Sequence, residues 1–133
     1  MIRARFAALA AIVALAACTT TTTVAYIPEP ERPRLTWEEA RITTLRFLTI
    51  ECPRLTQAGF GGGEVQVLAR VGPGGLTREA ELEGTSRDER LDGIFGAVVA
   101  QLAFPDEFPD GGDARVRIMY RCASPVDVRF VRR

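Results

Sequence analysis

The chain contains no lysine, no histidine and no asparagine; all 17 basic residues are arginine, balanced by 17 acidic ones. Without histidine, the usual general base near neutral pH and the commonest metal ligand are both missing. Balanced charge supplies no basic field for nucleic acid or anionic lipid. One tryptophan and two tyrosines do not supply an aromatic-lined cleft for sugar, which argues against glycoside cleavage by paired carboxylates. No G-x-S-x-G elbow occurs. The glycine run at 59–63 (GFGGG) lacks the Lys-Ser/Thr of a P-loop and precedes a strand pattern, so it reads as a flexible connection. The acidic loop 105–113 carries Asp106, Glu107, Asp110 and Asp113, without EF-hand spacing. It reads as a solvated loop. No catalytic residue, metal site or cofactor is assigned on these grounds, and an enzyme is the least favoured class.

The N-terminus is the strongest signal present. Arg3 and Arg5 form a positive region, Phe6 to Ala14 a short apolar one, and Leu15-Ala16-Ala17-Cys18 follows. The apolar run is too short to span a bilayer and reads as a secretory leader. The four residues resemble the lipobox of bacterial lipoproteins. That resemblance implies cleavage before Cys18, lipid on its thiol and acylation of the new amino terminus; an ordinary signal peptide with a chance cysteine is the alternative. It also implies attachment to the membrane through Cys18. Thr19 stands where lipoprotein sorting associates aspartate with inner-membrane retention, which points to the periplasmic side of the outer membrane. Without Arg3 and Arg5 the remainder carries 15 basic against 17 acidic residues, a net of −2. Cys52 and Cys122 are left as an even pair in an oxidising compartment and are expected to form a disulfide. Such a bridge would close a loop of about 70 residues, worth about 4 kcal/mol; two small buried thiols are the alternative.

Three regions follow: a leader at 1–17, a disordered Thr/Pro-rich tether at 18–34 and a domain at 35–133. The tether contains five threonines at 19–23 and the segment IPEPERP at 27–33, neither able to bury a core. A capping box of Thr36 and Glu39 starts a helix with Trp37, Leu45, Leu48 and Cys52 near one side, and Pro53 ends it. Val65, Val67, Ala69 and Val71 alternate as a strand, Gly72-Pro73-Gly74-Gly75 makes a turn, and Leu76, Ala80 and Leu82 alternate back. A second box, Ser86 with Glu89, opens an amphipathic helix carrying Leu91, Ile94, Phe95, Val98, Val99 and Leu102, stopped at Phe104-Pro105. Ala114, Val116, Ile118 and Tyr120 form a third strand, and Val126, Val128 and Phe130 a short fourth strand or a docked tail. The expected class is α+β: a small three-stranded antiparallel sheet (β-β-α-β), with an N-terminal helix and the amphipathic helix packed on one face.

From Trp37 to Cys122 the chain resembles the TonB C-terminal domain group, including the AgmX/PglI C-terminal type. The resemblance is carried by a helix ending in Cys52, then Gly63-Glu64-Val65-Gln66-Val67 and a glycine-rich turn. Glu81-Leu82-Glu83-Gly84-Thr85-Ser86, a helix closing in Leu102-Ala103-Phe104-Pro105 and a strand ending in Tyr120 complete it. It implies a β-β-α-β periplasmic interaction module; in energy-transducing members a strand pairs with a segment of an outer-membrane transporter. Those transducers keep an N-terminal transmembrane helix where this chain has a cleavable leader, so the domain would bind partners without itself carrying proton-motive force.

Arg115, Arg117 and Arg121 form the candidate partner-binding stripe, with Glu79, Glu81 and Glu83 facing them across the sheet. The bland reading is a charged face that keeps an edge strand soluble. An exposed edge could instead accept a partner strand, with 126–131 capping that edge in the free protein. The leading expectation is a non-catalytic, lipid-anchored interaction module that binds another envelope protein and no nucleic acid. The alternative is a structural lipoprotein supporting the outer membrane or an envelope complex.

Overall fold

The computed structural model describes residues 24–132. The leader, Cys18 and residues 19–23 lie outside the described residues. Five strands and two α-helices follow in the order β1 (Ala25–Tyr26), α1 (Trp37–Gln57), β2 (Gly62–Val71), β3 (Thr77–Gly84), α2 (Glu89–Ala100), β4 (Gly112–Arg121) and β5 (Asp127–Arg132). The class is α+β, but the sheet has five strands rather than three. All pairings are antiparallel, in the order β1-β3-β2-β4-β5. The three expected strands are its centre. The segment after Cys122 pairs along β4 as a full strand, Ile118 opposite Phe130 and Tyr120 opposite Val128. At the other edge, Ala25 and Tyr26 pair with Glu81 and Ala80.

This last pairing corrects the tether, at least over residues 24–34. A two-residue strand among prolines has no periodicity of its own, and only the open edge of β3 calls it into order. Tyr26 lies on Gly96 of α2, where a Cβ would overlap its ring. The buried Gln101 then satisfies the backbone of the proline-rich segment. Its Oε1 accepts from the Glu29 amide at 3.0 Å, and its Nε2 donates to the carbonyls of Glu29 and Arg32 at 3.1 and 3.0 Å. Arg34 donates to the Thr77 carbonyl at 2.6 Å. Gly96→Ala is therefore expected to displace Tyr26 and free residues 24–34 while the rest of the domain stays folded. Limited proteolysis would read this as faster tryptic cleavage after Arg34, with unchanged far-ultraviolet circular dichroism.

Helix α1 starts as its sequence indicates, with the Thr36 hydroxyl accepting from the Glu39 amide at 3.2 Å. Pro53 does not end it; the helix runs one turn further. Proline only removes the bond that position 53 would donate to the Thr49 carbonyl, and the last turn is held from outside the helix. Leu55 is fully buried and Arg54 reaches Asp88 at 2.6 Å, in addition to Glu51 of the preceding turn at 2.9 Å, while Cys52, just ahead of the proline, is bridged to Cys122. Glycine 59 then takes φ +83°, the left-handed turn that ends many helices. The glycine run is not loose beyond it: Gly62 and Gly63 pair with Arg121 and Tyr120, and Gly63 lies under the Tyr120 ring.

Two further local expectations shift. Where β2 pairs with β3, a register break between Arg70 and Val71 turns Thr77 of β3 inward, leaving Leu76 42% exposed. In α2 the N-cap is Asp88, whose side chain accepts from the Leu91 amide at 2.9 Å. Ser86 is occupied elsewhere, donating to Asp92 at 2.6 Å. Arg54 holds the Asp88 carboxyl below its ordinary range, and a carboxylate at a helix N-terminus also favours the helix dipole.

Both helices cover one face of the sheet. Helix α2 crosses β2 and β3, and α1 packs beside it over β5. Val65, Val67, Val116, Ile118 and Val128 from the sheet meet Leu91, Phe95, Val99, Leu48 and Leu55 from the helices. Trp37 packs edge-on against Phe104 and Phe130, with ring centroids at 5.3 and 6.5 Å. The acidic loop is pinned at its centre: Phe108 packs on Phe104 at 5.9 Å, and Arg132 lies over Phe108 and pairs with Glu107.

Candidate functional site

Strand alternation puts every second side chain on the face away from the helices. That face is uncovered and carries Glu64, Leu68 and Arg70 from β2, Glu79, Glu81 and Glu83 from β3, Arg115, Arg117, Met119 and Arg121 from β4, and Arg129 from β5. The expected stripe of Arg115, Arg117 and Arg121 is present, but β4 is not an edge strand. It is paired on both sides, by β2 and β5. The sheet's edges are β1 and β5.

The three arginines are not equivalent. Arg115 reaches across β2 to Glu83 on β3 at 3.0 Å. Arg117 is paired with Glu64 on β2, Nη2 to Oε2 at 2.9 Å, and this carboxylate raises its already high pKa. Arg70 takes Glu79 at 2.9 Å and Glu81 at 3.6 Å. So of the anticipated Glu–Arg matches only Glu83–Arg115 forms, because β2 lies between β3 and β4 and supplies its own Glu64 and Arg70. Exposed pairs of this kind contribute only tenths of a kcal/mol each. Among the described residues Arg121 is in no ion pair. It borders a concavity of about 310 Å³ with Met119, Tyr120, Asp127 and Arg129, where Arg129 pairs with Asp127 at 3.4 Å.

A second, larger concavity of about 440 Å³ lies on the opposite side of the molecule, between the segment before α1 and the outer faces of α1 and α2. Ile27, Phe47, Ile94 and Ala97 give it an apolar lining, and Arg32 and Arg90 stand at its rim. The sequence reading missed this site. Its one visible signal was Phe47 and Ile50, apolar residues off the buried stripe of α1.

Cys52 and Cys122, the other predicted pair, form a disulfide with Cα atoms 5.3 Å apart. It joins the penultimate turn of α1 to the residue after β4. No group of acidic or sulfur side chains among the described residues is arranged to hold a metal ion. No helix among them is long and apolar enough to cross a membrane.

Tyr26 and Tyr120 both lie near the acidic start of α2. Burial raises each phenol's pKa, and Asp92 adds to it, with Glu89 acting on Tyr26 and Asp88 on Tyr120. A raised phenol is favoured neutral in the fold. Its contribution is complete below the ordinary value of about 10 and is lost as pH rises through the higher folded value. These are the chain's two tyrosines, so ultraviolet titration of tyrosinate is expected to show a delayed midpoint for both, coupled to alkaline unfolding. Comparison with protein-family models, with curated proteins and with solved structures finds no match to this chain.

Proposed function

We propose that this protein is a non-catalytic module, lipid-anchored through Cys18 on the periplasmic side of the outer membrane, that binds another envelope protein through the open face of its sheet. The observation that carries the reading is the corner of that face where β4 meets β5. There Arg121 stands outside the ion-pair lattice that occupies Arg70, Arg115 and Arg117. Arginine and methionine are enriched at protein interfaces, and Met119 lines the same concavity. An unpaired arginine can meet a partner carboxylate without first giving up a bridge of its own.

The order β2-β3-α2-β4 agrees with the β-β-α-β order that the TonB-type resemblance implies. If a partner strand adds to the sheet, the edge on offer beside β4 is taken by β5, so the outer side of β5 would receive it. Arg129 on β5, exposed beside Arg121 and held by Asp127 only at 3.4 Å, would then favour an acidic partner.

The test is site-specific photo-cross-linking in intact cells, with the photoreactive residue at position 121 or, on the same face, at position 70. A discrete adduct with one envelope protein from position 121, absent from position 70 and lost with Arg129→Glu, is the expected result. Equal, diffuse adducts with abundant lipoproteins from both positions would contradict the reading.

A further inference from the structure

Seven large apolar side chains are notably exposed among the described residues: Val24, Ile27, Ile42, Phe47, Ile50, Leu76 and Val131. Ile27 and Phe47 line one groove, at 73% and 45% exposure. Ile50, 74% exposed, is one helical turn beyond Phe47 on α1. Val24, 59% exposed, is three residues before Ile27. Exposed apolar residues scattered singly need no explanation, whereas a gathered patch marks a surface that meets something.

The position of the anchor says what it meets. Cys18 is six residues before Val24, and six extended residues reach at most about 20 Å. The groove begins at Ile27. Any lipid on Cys18 therefore keeps the β1 edge of the domain, from which Val24 and Ile27 lead into the groove, close to the bilayer. We infer that the groove side, with Ile27, Phe47 and Ile50 leading, docks on the bilayer surface itself. This rests on the lipid-anchored reading above.

The chemistry fits an interfacial contact rather than deep insertion. Ile27 and Ile50 are the most exposed members of the patch, at 73% and 74%. Arg46 is exposed beside Phe47 on α1, and Arg32 and Arg90 line the groove. Two of these cations are already engaged, Arg32 by Glu29 at 2.7 Å and Arg90 by Glu51 at 3.2 Å. Electrostatic attraction is accordingly small, and the apolar side chains carry the contact. Such a contact would be weak between free molecules, but a short tether makes it intramolecular and raises its effective concentration. The consequence is orientation: with the helices toward the lipid, the Arg121 corner faces away from the membrane.

The test uses the full lipidated chain, reconstituted in phosphatidylethanolamine–phosphatidylglycerol vesicles that contain lipids brominated on the acyl chains. Tryptophan is placed singly by Ile27→Trp, Ile50→Trp or, on the open face, Val131→Trp. Trp37→Phe removes the background. If that change lowers stability too far, the three variants are compared with Trp37 present as a constant contribution. All three positions are exposed, so the substitutions leave the core alone. Bromolipid is expected to quench tryptophan at 27 and 50 by about twofold or more, with a blue-shifted emission, and to leave position 131 unchanged. Unquenched emission at 27 and 50 in protein whose mass shows lipid on Cys18 would overturn the docking while leaving the anchor standing. A blue shift at those positions that depends on protein concentration but not on bromolipid would mean that a second copy fills the groove, and would overturn it too. Protein that carries no lipid on Cys18 and fails to sediment with vesicles would remove the anchor and the docking together.

Discussion

Removing the Cys52–Cys122 bridge, by reduction or as the Cys52→Ala/Cys122→Ala pair, is expected to lower the unfolding free energy by about 4 kcal/mol. The two residues are 70 apart in sequence, so the bridge excludes most of the expanded conformations open to the unfolded chain. Whole-domain stabilities run to only about 5–15 kcal/mol, which makes this one bond a large share. The local effect follows from position. Cys52 lies just before Pro53, where the helix loses a backbone bond, and the turn beyond depends on outside attachments. The reduced protein should lose protection first at the end of α1. Urea denaturation with and without reductant measures the difference; a change under about 1 kcal/mol would contradict the role given to the bridge.

Phe95→Ala is expected to cost about 3–5 kcal/mol. Phe95 is fully buried at the middle of α2, and its ring meets Tyr120 with centroids 5.5 Å apart. Truncation would leave a cavity between α2 and the sheet, walled by strands that are themselves paired and slow to collapse inward. Phe95→Leu, which restores most of the volume, should cost under about 1.5 kcal/mol. Phe47→Ala provides the contrast. Although also a helical phenylalanine, Phe47 is 45% exposed, and its loss should change stability by no more than about 0.5 kcal/mol. Equal losses at 95 and 47 would mean that the groove is part of the core.

Where one period dominated, the residues declared their structure. The alternation of 114–120 and the glycine-rich turn at 72–75 fold as their patterns indicate, and the apolar stripe of α2 does so as far as Val99; the helix ends at Ala100, before the expected stop at Phe104-Pro105, and Leu102 is buried beyond it. What was illegible depends on long-range geometry. Ala25 and Tyr26 become a strand only because β3 has a free edge and Gly96 leaves room for a ring. Pro53 sits inside a helix because Cys122, Asp88 and the core around Leu55 hold the chain on either side of it. Ser86 is the expected cap of α2, but Asp88 takes that place, because Asp92, six residues beyond Ser86, takes the serine hydroxyl. The candidate site divides the same way. The arginine stripe was visible in alternation, but its inequality arises from strand order, since β2 brings Glu64 to Arg117 and sets Gly62 opposite Arg121. The groove needed two helices and the N-terminal segment to come together, and no window of sequence contains all three.

Anchoring, orientation and partner choice all depend on the chemistry of Cys18. Intact-mass and peptide analysis of the protein extracted from its native membrane tests that directly. Trypsin should release a peptide running from Cys18 to Arg34, because the bond after Arg32 precedes proline. The account predicts that this peptide begins at Cys18 and carries a lipid on the thiol and an acyl group on the amine. A peptide beginning elsewhere, or beginning at Cys18 with a free thiol and a free amine, would contradict it.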